Sequence, residues 1–280
     1  MSGALGVLRV AAVNLDGVLL EDSFSPVIYR VLAAYGVAYS RELESAVLSQ
    51  PRRVAAGVLA RAIGSSAGVG WMTGVYFAER ERYVREHPVS LTPGAVELVG
   101  RLRGLGLEVV CYGGLGERHF ERYLGAWRQL FAGPGYVCTD GFRPGIGEIV
   151  RGCFGLGRSQ VLFIDDVARF AAQARVARVP FIGHPSTFRH GFQREAMREA
   201  GVRHLVGGLG EIDEALVRVL DGEAARDAVW PGPGRALAGA GTGMSAGTGM
   251  SAGTGMSAGA GVSAGAGVGA GAFAGVGGGL

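Results

Sequence analysis

"VAAVNLDGVLLED", Val10–Asp22, joins four apolar residues to a short polar turn and then to a second apolar pair, Leu19–Leu20. An apolar run without alternation describes a strand buried on both faces, as in a parallel sheet. Asn14, Asp16 and Gly17 follow at its C-terminal end, the edge where open α/β sheets bind ligands. Working outward, "GLEVVCYGG", "GYVCTDGF", "QVLFIDDV", "VPFIGHP" and "VRHLVGG" are likewise short and apolar or β-branched, with small, acidic or proline residues at their ends. Stretches with helical character alternate with them: "TPGAVELVGRLRGLG", "GEIVRGCFGLG" and "ARFAAQARVAR". The alternation predicts an α/β fold with a doubly wound parallel sheet.

Residues 23–93 break this rhythm. "SPVIYRVLAAYG", "SRELESAVLSQPRRVAAGVLARAIG" and "TGVYFAERERYVREHP" place apolar residues at 3.6-residue spacing, with Glu and Arg on the other face. They predict an all-helical subdomain inserted after the first strand, above the sheet's C-terminal edge. The expected division is a core of residues 1–22 and 94–230, a helical insertion of residues 23–93, and a tail of residues 231–280. In the tail the hexamer GTGMSA stands three times in tandem from Gly241 to Ala258, and Arg235 is the only charge. Such a chain loses much backbone entropy on ordering and has little side chain to bury, so disorder is expected there.

Composition narrows the function classes. All 27 basic residues are Arg, and the net charge is only +3 over 280 residues. No basic stripe interleaved with aromatics appears, which argues against nucleic acid as a partner. The three cysteines show no C-x-x-C spacing, so neither a disulfide framework nor a zinc site is expected. No apolar stretch is long enough for a membrane span, and the N-terminal run contains Arg9, unlike a secretory signal, so a cytoplasmic protein is expected. Oligomeric state has no sequence signal.

Four loops carry the candidate chemistry. The first holds Asn14 and Asp16; the second, "EVVCYGGLGERHF", holds Tyr112, Gly113 and Gly114; the third, "TDGFRPGIGEIV", holds Arg143–Pro144; the fourth, "VLFIDDVARF", ends its strand in Asp165–Asp166. Paired carboxylates suit general acid/base work, and the glycines keep a backbone able to cradle an anion. Adjacent acids repel unless a cation or a helix N-terminus offsets them.

These four loops, in this order, resemble those of the haloacid dehalogenase-like (HAD) hydrolases, over roughly residues 8–220. The resemblance implies a HAD-like Rossmannoid core, with the helical insertion as a cap that closes over the loops and selects the substrate. It implies Asp16 as general acid/base and Asn14 in the place of the family's nucleophilic aspartate. Arg143 would take the place of a lysine that neutralises an anionic group, and Tyr112, Gly113 and Gly114 the place of the anion-binding loop. Asp166, Asp16 and Asn14 would ligate Mg2+, with Asp165 in support. A carboxamide lacks the nucleophilic oxygen and the charge, so the resemblance implies loss of the covalent route and weakened Mg2+. Asn14 alternatively only closes its loop by hydrogen bonding. Tyr112 is expected to crowd the place of a phosphate, and Phe170 stands where an Asp or Asn commonly helps. His119 is read as a surface or capping residue, and His184, His190 and His204 as loop and surface residues, with a place at the pocket mouth as the lesser alternative for His184.

The leading expectation is a small-molecule enzyme of hydrolase lineage, using non-covalent acid/base chemistry on a small anionic metabolite. The alternatives are an inactive relative that binds a metabolite or partner, and a phosphatase using direct attack by water.

Overall fold

The computed structural model describes residues 3–231. The repeat tail, residues 232–280, lies outside the described residues. β1 (Val10–Asn14) is the central strand, which is why it can be apolar throughout: Val10 to Val13 are each 1% exposed or less. β2 (Glu108–Gly113) and β4 (Val161–Asp165) flank it, and β3 (Tyr136–Cys138) and β5 (Phe181–Gly183) form the edges. The order is β3-β2-β1-β4-β5 with every pair parallel. Asn14 lies opposite Tyr112 and Val13 opposite Ile164, so β1, β2 and β4 end at one level and their loops meet. Strand order reverses at β1, and crevices open at such points.

Four helices follow β1: α1 (Phe24–Ala34), α2 (Arg41–Val47), α3 (Arg52–Ala62) and α4 (Gly68–Glu86). α4 packs on both α1 and α3, and α3 on α2. The single apolar stretch from Ser40 to Gly64 is divided at Leu48–Pro51. Proline cannot donate an intrahelical bond and restricts the residue before it, so one helix ends and the next begins there. Where the insertion leaves and rejoins the core, the two crossings pair: the Glu21 amide donates to the Ser90 carbonyl at 3.1 Å and the Thr92 amide to the Leu19 carbonyl at 3.0 Å.

The remaining helices are α5 (Ala95–Gly104), α6 (Glu117–Leu124), α7 (Ala168–Ala177), α8 (Gln193–Glu199) and α9 (Glu214–Ala225). On α7, Ala171 and Ala174 are fully buried, and their small side chains let the helix lie close to the sheet. Two expectations are corrected. "GEIVRGCFGLG" forms only one wide helical turn, Glu148–Cys153, because its glycines give little support to a longer helix. "VRHLVGG" contributes a single bridge, Leu205 to Gly183, rather than a strand. Its Arg203 and His204 turn instead to Glu223, at 3.0 Å and 2.7 Å. No helix among the described residues is long and apolar enough to cross a membrane.

Candidate active site

The turn after β1 is held by its own backbone. The Gly17 amide donates to the Leu20 carbonyl and the Leu20 amide to the Leu15 carbonyl, each at 2.8 Å. Gly17 has φ +90°, and a Cβ there would fall 2.0 Å from Asp166 Oδ2. Only glycine provides both the left-handed backbone and the room for the fourth loop.

Within this turn the Asn14 amide nitrogen donates twice, to the Asp16 carbonyl and to Asp166 Oδ1, both at 2.8 Å. The Asp16 carbonyl can only accept, which fixes the amide orientation: nitrogen, not oxygen, faces this pair. The Asp16 carboxylate points elsewhere. Its Oδ1 lies 2.8 Å from His119 Nε2, with both side chains nearly buried. An ionised carboxylate only accepts, so Nε2 carries the proton of this bond. His119 is thereby corrected from a surface or capping residue to a partner of the first loop. It sits near the start of α6, on the side of the helix turned to β1, and its signal was hidden because 103 residues separate it from Asp16.

The fourth loop is built beneath the first. The Tyr112 hydroxyl donates to Asp165 Oδ2 at 2.7 Å and the Val167 amide to Asp165 Oδ1 at 2.8 Å. Tyr112 is 1% exposed and its ring stacks on Phe170 with centroids 5.4 Å apart. The expectation that Tyr112 crowds an anion is therefore corrected: its ring turns into the core below the loops. Tyr112 and Phe170, two separate departures in the sequence, form one aromatic layer with Phe163 and Phe181. Burial, partly offset by the Tyr112 hydroxyl and the Val167 amide, pushes the Asp165 carboxyl up to about 6. Asp166 is pushed well above the usual carboxylate range, first by burial and then by the neighbouring charge of Asp165.

The second and third loops interlock. The Gly113 carbonyl accepts from the Thr139 amide at 2.8 Å and from its hydroxyl at 3.0 Å. The half-buried Arg143 lies across Gly114, where a Cβ would be 2.3 Å from its guanidinium. Arg52, at the start of α3, approaches the same glycine from the insertion, with Nη2 at 3.4 Å from the Gly114 carbonyl and Nε at 3.5 Å from Asp140. Arg52 was not foreseen, since nothing local distinguishes it from the other arginines of the insertion. His184 is also corrected from a loop or surface residue. It is 7% exposed, its Nδ1 lies 3.1 Å from the Gly17 carbonyl, and burial lowers its pKa, so it supports the first loop as a neutral ring.

A cavity of about 120 Å³ lies between the loops and the insertion. Asn14, Asp16, Gly114, Arg143 and Asp166 line it, whereas Tyr112, Gly113 and Asp165 lie outside the lining, in support. Arg52 and Asp140 join at the rim, and the insertion contributes an apolar wall that includes Phe24, Leu59 and Phe77. The cavity lining thus combines charged groups from the loops, Asp22 among them, with an apolar face from the insertion.

A divalent cation does not fit this donor set as arranged. Mg2+ requires oxygen ligands at about 2.0–2.1 Å in octahedral geometry. Here the Asp16 carbonyl and Asp166 Oδ1 both receive N–H bonds from Asn14, whose nitrogen cannot ligate a cation. No group of three or more His, Cys, Asp or Glu among the described residues is placed to hold a metal ion.

The parallel sheet, the insertion after β1 and the four loops at one sheet edge define the fold of the HAD-like hydrolases, and the chain has that fold. Solved structures similar to it include a phosphonoacetaldehyde hydrolase-like protein from Oleispira antarctica, 15% identical, covering 81% of this chain and 97% of the other with TM-score 0.57. A HAD-like protein of unknown function from Agrobacterium tumefaciens is 18% identical over 76% of this chain and 99% of its own, with TM-score 0.57. A HAD family hydrolase from Deinococcus radiodurans, solved with bound phosphate and sodium, is 18% identical over 78% and 96%, with TM-score 0.53. No protein-family model and no curated protein sequence matches the chain.

Proposed function

We propose that the protein is a small-molecule enzyme of hydrolase lineage that works by proton transfer through Asp16, without a covalent enzyme intermediate. The observation that carries this reading is the Asp16–His119 bond at 2.8 Å, with Asp16 in the cavity lining. Asp16 takes a proton from a bound water while the water oxygen attacks the electrophilic centre of the substrate. The same proton then goes to the leaving group. His119 is a positioning residue: its Nε2–H fixes one carboxylate oxygen, leaving the other for the reacting water. Arg143 holds the anionic end of the substrate, and the helical insertion acts as the cap that encloses its body. Asn14 supplies no nucleophile, and the resemblance's Mg2+, weakened at Asn14, enters no step.

The test is hydrolysis of 4-nitrophenyl phosphate and 4-nitrophenyl acetate by the purified protein between pH 5 and 9. Asp16→Asn is expected to abolish turnover, and His119→Gln to lower it and move the acidic limb of the pH profile. Turnover unaffected by Asp16→Asn refutes the role of Asp16. An unmodified protein that binds such anions without turning them over favours the metabolite-binding alternative.

A further inference from the structure

Two oxygens of different loops, the Asp16 carbonyl and Asp166 Oδ1, converge on one point, and that point is the Asn14 amide nitrogen at 2.8 Å from each. Convergent oxygens at a strand edge need a positive partner, since bringing them together out of water is otherwise unfavourable. A cation is one such partner; an NH2 group, with two hydrogens at a fixed angle, is another. The two donors of Asn14 are matched to the two acceptors one for one.

We infer that this is a metal-independent anion site: the Asn14 amide does the structural work of a cation, and Arg143 with Arg52 does its electrostatic work. For a cation to enter, the amide must turn over and surrender both hydrogen bonds, and its oxygen must then face the oxygens it formerly bridged. The amide is neutral, however, and cannot itself hold an anion. That charge is at hand. Arg143 from the core and Arg52 from the insertion meet at Gly114 and both line the cavity, where they face the carboxyl groups of Asp16, Asp22, Asp140 and Asp166 that line it as well. Arg52 is held there by Asp140, at 3.5 Å, and by the face of Phe77, 5.1 Å from its ring centre. A guanidinium binds phosphate or carboxylate oxygens through a planar pair of N–H groups, so each arginine offers a small oxyanion one such pair. One arginine belongs to each part of the molecule, so the anion itself would bridge core and insertion. The ligand class is thus a small oxyanion, phosphate-like or carboxylate, taken up without a divalent cation. This rests on loop geometry and holds whether or not Asp16 turns the ligand over.

The experiment has two arms. In the first, thermal unfolding is followed in EDTA and in millimolar MgCl2. The unmodified protein is expected to melt at the same temperature in both. Asn14→Asp, which replaces the bridging donors by a second carboxylate facing Asp166, is expected to melt lower in EDTA and to recover with MgCl2, as ligand linkage requires. In the second arm, inorganic phosphate and acetate are titrated calorimetrically into the unmodified protein. At least one should bind with the same affinity in EDTA and in MgCl2. Arg143→Gln and Arg52→Gln should each weaken it by about tenfold or more, the loss of a charge-assisted pair. Stabilisation of the unmodified protein by MgCl2, or binding of either anion only when MgCl2 is present, overturns the inference. So does failure of both anions to bind under either condition. If Asn14→Asp does not fold, the unmodified protein alone still decides. Failure here is distinct from failure of the catalytic reading, which is judged by turnover in Asp16→Asn.

Discussion

Replacing Tyr112 by Phe removes one oxygen and tests how the fourth loop is supported. The hydroxyl donates to Asp165 Oδ2 at 2.7 Å, in a place where Tyr112 is 1% and Asp165 2% exposed. No water can take over the bond without repacking, so the carboxylate oxygen is left with nothing. A hydrogen bond to a buried charged group contributes about 1.5–3 kcal/mol, and a neutral one about 1 kcal/mol. The Asp165 carboxyl titrates at about 6 in the folded protein, against about 3.9 unfolded. A raised folded value means that Asp165 favours folding below its unfolded pKa, and that this contribution is lost as pH rises through 6. Above that, the ionised carboxylate depends on Tyr112 and the Val167 amide. The cost of Tyr112→Phe should therefore grow with pH, from about 1 kcal/mol near pH 4 to about 2–3 kcal/mol near pH 7.5. Urea unfolding of both proteins at the two pH values, analysed for midpoint and slope, measures this directly. A cost below about 0.5 kcal/mol at pH 7.5, or a cost that falls as pH rises, would refute the argument. Anion binding in the cavity should be little changed, since Tyr112 does not line it.

Gly17→Ala should destabilise strongly, by about 2–4 kcal/mol, because the new Cβ meets Asp166 Oδ2 at 2.0 Å on a backbone with φ +90°; thermal unfolding no different from the unmodified protein would contradict the loop packing. Asp166→Asn keeps the acceptor for Asn14 but removes a buried acid whose folded pKa is raised by burial and by Asp165, and with it the cost of that shift above the unfolded pKa. It should stabilise by about 1–3 kcal/mol near neutral pH, with the gain shrinking toward pH 4 and gone only below the unfolded pKa of about 3.9, where Asp166 is protonated in both states; an equal gain at pH 7 and pH 3 would contradict this origin.

The sequence by itself determined the elements that depend on local pattern. The apolar run Val10–Val13, followed at once by a polar turn, has the pattern of a strand buried on both faces, and it is the central one. The helical spacing of residues 23–93 produced four helices and no strand, and the loops at the ends of β1, β2 and β4 meet because those strands are parallel and in register. Periodicity and turn residues carry that information within a few positions of one another. What tertiary structure decided was direction and partnership. The direction of Tyr112 into the aromatic layer depends on Phe170, 58 positions away. The pairing of His119 with Asp16 depends on how α6 turns after β2. The Asn14 amide was legible as an altered position, but not as a bridge between Asp16 and Asp166, because its acceptors are fixed by two strands lying side by side. A side chain's chemistry is local to the chain, whereas the group it meets is set by packing of the whole sheet, and here that meeting determines the chemistry of the site.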